Sequence, residues 1–317
     1  MRGVDLDVAD GQTVALVGES GSGKSTLANA ITRLVPLDRG AVHLGGHALH
    51  ELQGSDLRRA RRDVQMVFQD PYSSLDPSMT VGASVAEPLR NFSDLRGSEL
   101  DKRVAELFER VSLRAAHRHR YPHEFSGGQR QRIAVARAIA PSPRLVICDE
   151  AVSALDVSTQ NQILRLLEEL QRDLGVAMLF VTHDLSVVWN IADEVIVMYL
   201  GELVESGPAE RVLDAPAHPY TQGLVAAVPT PDPRAQRSRE RVVSKGEVPD
   251  PANPPDGCSY HTRCPHVMEV CRTVSPAWRA VGDSTSRVRC HLYESTESGA
   301  EPLTLATRSP VSDTGEC

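Results

Sequence analysis

The run Gly18-Glu19-Ser20-Gly21-Ser22-Gly23-Lys24-Ser25-Thr26 has the residue types of a phosphate cradle. Its glycines let the backbone turn tightly and aim N–H groups inward as an anion nest. Lys24 supplies a positive charge, and the Ser25 hydroxyl can ligate magnesium. Such a loop works only between a strand and a helix. Thr13-Val14-Ala15-Leu16-Val17 reads as a buried strand and Leu27-Ala28-Asn29-Ala30-Ile31 as a helix. The cradle is therefore expected on a helix N-terminus, where the dipole favours anions.

Further along, Gln69 follows the strand-like run Val64 to Phe68, just before Pro71. A glutamine at a strand end can orient water or ligate magnesium, although alone it reads as an ordinary turn residue. Ser126-Gly127-Gly128-Gln129 opens a helix with Ile133, Ala134, Ala138 and Ile139 on its apolar face. This is a second helix N-terminus with close-approach glycines. One phosphate rarely needs two such sites, so the economical expectation is a composite site in which one subunit's cradle faces another subunit's Ser-Gly-Gly turn. The apolar run from Leu145 ends in the carboxylates Asp149 and Glu150. Asp149 would hold magnesium and Glu150 would polarise a water. Ser153 to Asp156 precedes an amphipathic helix carrying Ile163, Leu164, Leu166, Leu167 and Leu170. The strand Ala177 to Val181 then delivers Thr182-His183-Asp184, with His183 expected to touch a γ-phosphate.

The rest of the chain bounds what this machinery serves. At 317 residues it can hold one large domain or two modest ones. A formal charge of −8 and a pI near 5.8 argue against a general nucleic-acid-binding surface. The amino terminus lacks the apolar region of a signal peptide. The longest apolar stretches, Val176 to Val181 and Val195 to Leu200, are too short to span a bilayer. Ser98-Glu99-Leu100-Asp101 has the spacing of an N-cap box. Val104, Leu107, Phe108 and Val111 follow at helical spacing as core positions. His117-Arg118-His119-Arg120 reads as a solvated turn whose basic neighbours would repel a cation.

The order of these motifs resembles the ATP-binding cassette of ABC transporters. The resemblance implies Walker A at Gly18 to Thr26, the Q-loop at Gln69, the signature at Ser126 to Gln129 and Walker B at Leu145 to Asp149. It further implies Glu150 as catalytic base, a D-loop at Ser153 to Asp156 contributing Asp156 to the nucleotide site, and His183 as the switch. Magnesium would be held by Ser25, Gln69 and Asp149. The implied fold is α/β: a RecA-like core with an antiparallel β subdomain and a helical subdomain at about 72–140. Gln69 to Pro77, Tyr121 to Ser126 and Cys148 to Ser158 look like the oligopeptide/dipeptide importer branch, with Asp76 where that branch commonly has asparagine. The family also has an upstream aromatic residue stacked on adenine, worth on the order of 1–3 kcal/mol in comparable stacks. The chain begins too close to Gly18 to include it, and the expectation is that the written start lies inside a longer natural chain.

The expected divisions are a cassette at 1–227, an extension at 228–293 and a disordered tail at 294–317. A linker is expected around Pro208 to Pro229. His218-Pro219-Tyr220-Thr221 and the run Pro229 to Pro233 resemble the importer branch's extension. Cys258, Cys264, Cys271 and Cys290 have the spacing C-x5-C-x6-C-x18-C. In a reducing compartment, clustered cysteines suggest metal before disulfides. The open choices are a [4Fe–4S] cluster, structural zinc or unligated thiols. The spacing lacks the C-x2-C knuckles usual for zinc, and Cys264-Pro265 fits the iron–sulfur choice. The related extensions imply iron–sulfur, while His261, His266 and His291 leave mixed ligation open.

The resemblance implies an ATPase subunit of a peptide-type ABC importer, using ATP and Mg2+ at the cytoplasmic face of the membrane. Its implied partners are a second ATPase, like or unlike itself, two transmembrane permease subunits and, through them, an extracytoplasmic solute-binding protein. The rivals are a non-transport ABC ATPase and a weakly hydrolysing, metal-sensing regulatory subunit; nickel or another small solute is the alternative cargo.

Overall fold

The computed structural model describes residues 1–70, 72, 74–229, 246–282 and 285–294. The chain forms two compact units, Met1–Leu203 and Val204–Cys317. The expected tail beyond Glu294, and most of the expected Pro229 to Pro233 run, lie outside the described residues.

The first unit is built on β1 (Thr13–Val17), β4 (Val64–Val67), β5 (Leu145–Asp149), β6 (Ala177–Thr182) and β7 (Glu194–Tyr199). Their order is β4-β5-β6-β1-β7, and the pairings along it are parallel. Every residue of β1, β5 and β6 is buried, as expected of parallel strands covered on both faces. The register decides where chemistry can occur. Val17 lies opposite Thr182, Asp149 opposite Val181 and Val67 opposite Cys148. The segments beginning at Gly18, Glu150, His183 and Phe68 therefore leave the sheet side by side at its carboxyl end, where open α/β sheets bind ligands.

Helices cover this sheet and extend to one side. They are α1 (Lys24–Ile31), α2 (Gly54–Ala60), α3 (Val81–Phe92), α4 (Gly97–Arg110), α5 (Gly127–Ile139), α6 (Val157–Leu174) and α7 (Leu185–Ile191). The expected faces are buried: Val104, Leu107 and Phe108 of α4, with Val111 just past its end, join Ile133 of α5 and Ile163, Leu166 and Leu167 of α6 in one apolar core with Val146 and Phe180. Each such large side chain contributes about 1.5–3 kcal/mol by leaving water. Helix α6 is capped at both ends. Asp156 Oδ1 accepts from Thr159 N at 3.0 Å, and Gly175 closes the helix in the left-handed conformation at φ 62°.

Several local expectations fail. The Ser98 box does not form: α4 starts at Gly97 with Arg96 as its cap and no side-chain cap bond. Ser98 is already inside the helix, and a cap must be outside it. Antiparallel pairing in the first unit is small: among its described residues it is the hairpin β2 (His43–Leu44) and β3 (His47–Ala48). His117 to Arg120 is not merely a turn, because Ala115–His119 forms a 3₁₀ helix.

The chain enters the second unit within β8 (Glu202–Pro208), then forms α8 (Ala209–Asp214) and α9 (Pro219–Ala227). A hairpin of β9 (Trp278–Val281) and β10 (Ser286–Arg289) pairs with β8, placing Val288 opposite Glu205. Ala217, Val281, Val288 and Cys290 form a small apolar core there.

Candidate functional site

The cradle is shaped by close approach as much as by charge. A Cβ on Gly18 would lie 2.2 Å from the Met198 carbonyl oxygen, so only glycine lets the loop leave β1 beside β7. Gly23 precedes α1 with φ 107°, a conformation that a side chain would strain. Lys24 folds back over this turn, donating from Nζ to the carbonyls of Gly18 at 2.8 Å and Glu19 at 2.9 Å, with Ser22 Oγ at 3.5 Å. Burial pulls the Lys24 pKa below its ordinary value, while Glu150, Asp149 and Glu19 act in the opposite sense. Ser20, Gly21, Ser25 and Thr26 line the exposed side of the loop.

The strand ends bring the other predicted groups to Lys24 and Ser25. Ser25 Oγ donates to Asp149 Oδ1 at 3.0 Å. This pair offers hard oxygen donors of the kind magnesium takes. Burial raises the Asp149 pKa, and the Ser25 bond partly offsets that rise. Glu150 is the hub. Gln69 Nε2 donates to its Oε2 at 2.7 Å, and His183 Nδ1 lies 3.0 Å from its Oε1. Its backbone adopts φ 48°, a left-handed conformation uncommon for glutamate and of a kind found at functional sites. The Glu150 N–H donates to Val181 O at 2.9 Å, and Ser153 Oγ donates to Glu150 O at 2.9 Å. The side chain of Glu150 is 16% exposed and that of His183 is 54% exposed, so the hub opens to solvent on the histidine side.

The signature residues do not join this cluster. Ser126 Oγ accepts from Gln129 N at 3.3 Å, and Gln129 Oε1 accepts from Ser126 N at 3.1 Å, forming a capping box within the turn. Gly128 is required by packing: a Cβ there would lie 2.3 Å from Thr159 Cγ2. Ser126, Gly128 and Gln129 line a cleft of about 340 Å³ with Ser112, Arg132, Thr159 and Gln162. Asp156 is likewise committed locally. Bonds from Ser158 and Thr159 hold its carboxyl far below the usual carboxylate range.

In the second unit, Cys258, Cys264, Cys271 and Cys290 are unbridged. Burial pushes the Cys290 thiol up to about 12, reinforced by Cys258, Cys264 and Cys271, so the four sulfurs lie within electrostatic reach of one another. Soft thiolates suit iron–sulfur or zinc chemistry. Even so, no group of three or more His, Cys, Asp or Glu is arranged to hold a metal ion among the described residues. The expected iron–sulfur or zinc site therefore lacks support in the geometry. Mixed ligation by His291 is opposed too, because it spends its ring nitrogens on Glu294 and Val274 O at 2.7 and 2.8 Å.

The sequence reading missed the buried Glu205. Burial raises its pKa to about 7, and it accepts from the N–H groups of Ala217 at 2.7 Å and His218 at 2.8 Å. His218, in the His-Pro-Tyr-Thr run, is driven down to about 3 by burial and accepts from Tyr220 N through Nδ1. A lone glutamate in a strand carried no signal of this role.

Residues 1–153 match the family described as ABC transporter, and residues 204–271 match the oligopeptide/dipeptide transporter C-terminal region. The chain is 47% identical over 289 residues to the probable peptide ABC transporter ATP-binding protein y4tS of Sinorhizobium fredii, covering 91% of this chain and 81% of that one. It is 46% identical over 292 residues to the oligopeptide transport ATP-binding protein AppF of Bacillus subtilis, covering 92% and 88%. The ATP-binding cassette MJ0796, solved as a dimer in a post-hydrolysis state with ADP and Pi, superposes with a TM-score of 0.59. That alignment has 32% identity and covers 65% of this chain and 89% of that one.

Proposed function

This chain belongs to the ABC transporter ATP-binding family, in its oligopeptide/dipeptide branch, and from that premise we propose how its residues work. It is the ATP-hydrolysing subunit of a peptide importer, acting with a membrane permease and a second ATPase. The observation that carries the mechanism is Glu150 held between Gln69 and His183 beside the Ser25–Asp149 pair.

Lys24 exchanges its carbonyl partners for phosphate oxygens, and the loop amides from Gly18 to Thr26 hold the remaining charge. Magnesium bound by Ser25 and Asp149, with Gln69 nearby, would neutralise charge on the phosphates. Glu150 takes a proton from the attacking water as general base. His183 orients Glu150 through Nδ1 and contacts the γ-phosphate. Ser126 to Gln129 would close the partner's site, because its own turn bonds leave it apart from this chain's Lys24 cluster. Asp156 lies at the same face and would border that composite site.

The finer assignments are part of the same proposal. The cassette occupies 1–227, with its helical subdomain at 72–140; the extension occupies 228–293 and the tail 294–317. The partners are a like or unlike ATPase, two permease subunits and, through them, a solute-binding protein. No helix among the described residues is long and apolar enough to cross a membrane, which suits a peripheral place on the cytoplasmic face. The transport reading is tested by ATP-driven uptake of labelled peptides into vesicles holding the assembled transporter. Uptake by wild type and its loss in Glu150→Gln are expected; equal uptake by both would refute the reading.

A further inference from the structure

The loop that positions Gln69 is fastened to the helix that carries the signature. Asp70 Oδ1 accepts from Tyr72 N at 2.8 Å, and Ser74 N donates to Asp70 O at 3.2 Å, so Tyr72 and Ser74 are both tied back to Asp70. Tyr72 is 63% exposed. Its ring is nevertheless covered on one face by Arg130, whose guanidinium carbon lies 4.0 Å from the ring centroid. Arg130 is itself fixed, donating from Nε to Pro122 O at 2.8 Å and from its backbone to Ser126 O at 2.9 Å. Arg137 stands two helical turns farther along α5, on the same face. It donates to Ser74 O at 2.5 Å. Two arginines of one helix thus hold Tyr72 and Ser74 against α5.

We propose that Tyr72 and Arg130 are positioning residues that couple the two ATP sites of the assembled ATPase pair. The inference rests on the composite-site reading above. Within one chain, Gln69 bears on Glu150 of its own site, while Ser126 to Gln129 serve the partner's site. A stack joining the Gln69 loop to the first turn of α5 makes a change at one site felt at the other. Coupling of this kind is a free energy shared between sites and is reciprocal. An exposed cation–π contact is worth a factor of about two to five in an equilibrium, which sets the size of the effect.

The test is steady-state ATP turnover by the assembled transporter, with a Hill coefficient from the ATP dependence. Wild type is expected to give a Hill coefficient above one. Tyr72→Leu and Arg130→Gln should each lower kcat about two- to five-fold and bring the coefficient toward one, with KM little changed. Tyr72→Phe keeps the ring and should behave as wild type. The double variant should be no worse than either single variant, because both remove one contact. A wild-type coefficient of one, an unaffected Tyr72→Leu, a Tyr72→Phe as impaired as Tyr72→Leu, or multiplicative losses in the double variant would each overturn the coupling. If Tyr72→Leu is unstable, Arg130→Gln carries the same expectation from the other side of the stack. Failure of the underlying reading looks different: wild-type turnover would then be insensitive to Glu150→Gln.

Discussion

Two glutamates divide the molecule's polar chemistry between them. Glu150 stands at a strand end, partly open to solvent, and its carboxylate is held by the side chains of Gln69 and His183. Glu205 is enclosed in the second unit, and its carboxylate is held by the backbone N–H groups of Ala217 and His218. Side-chain partners can swing toward a substrate, whereas backbone partners move only when the chain unfolds. The first arrangement suits catalysis and the second suits architecture. Bond lengths alone would not separate them, since both carboxylates are held at 2.7 to 3.0 Å.

The same substitution at the two positions should therefore give opposite results. Glu150→Gln removes the proposed base and should lower ATP turnover by about 10²–10⁴-fold with little change in unfolding midpoint. Glu205→Gln should leave turnover in place and change how stability responds to pH. The Glu205 pKa, raised from 4.5 to about 7, gives stability that is fully present below pH 4.5 and is lost as pH rises through 7. The His218 pKa, lowered from 6.5 to about 3, gives stability that is present above pH 6.5 and is lost as pH falls through 3. Between pH 4.5 and 6.5 these slopes oppose one another, so the pair's contribution in wild type should be nearly flat. Glu205→Gln uncovers the His218 slope, up to about 1.4 kcal/mol lost per pH unit on acidification. Denaturant unfolding followed at Trp278 in a Trp189→Phe background checks this; a variant as flat as wild type would break the comparison.

A third expected effect is on stability alone, in the first unit. Gln131 of α5 is fully buried, and neither amide atom has a hydrogen-bond partner. Gln131→Leu removes that desolvation cost at similar volume and should stabilise the first unit by about 1–3 kcal/mol. A loss of stability in thermal unfolding would show that the amide is satisfied in solution.

The site was legible where local chemistry carries it. Gly18 to Thr26 could be read because glycines, lysine and serine at that spacing suit few other purposes, and the strand and helix around them were plain. Val104 to Val111 could be read because helical periodicity marks a buried face. What escaped depends on distant partners. Gln69 and Glu150 were each legible as site residues, but their direct bond spans 81 residues, and only the sheet register makes it. The stack of Arg130 on Tyr72 and the clasp on Glu205 are likewise tertiary, with no local pattern to announce them. Ser98 misled because a capping pattern specifies only spacing, and α4 begins before it.

In the proposed mechanism Glu150 acts as the base while Lys24 and the loop amides bind ATP independently of it. One measurement addresses both parts: phosphate release and bound nucleotide determined together in the same sample of Glu150→Gln transporter. Nucleotide occupancy equal to wild type is expected, with phosphate release reduced at least about 100-fold. Undiminished phosphate release at equal occupancy would contradict it.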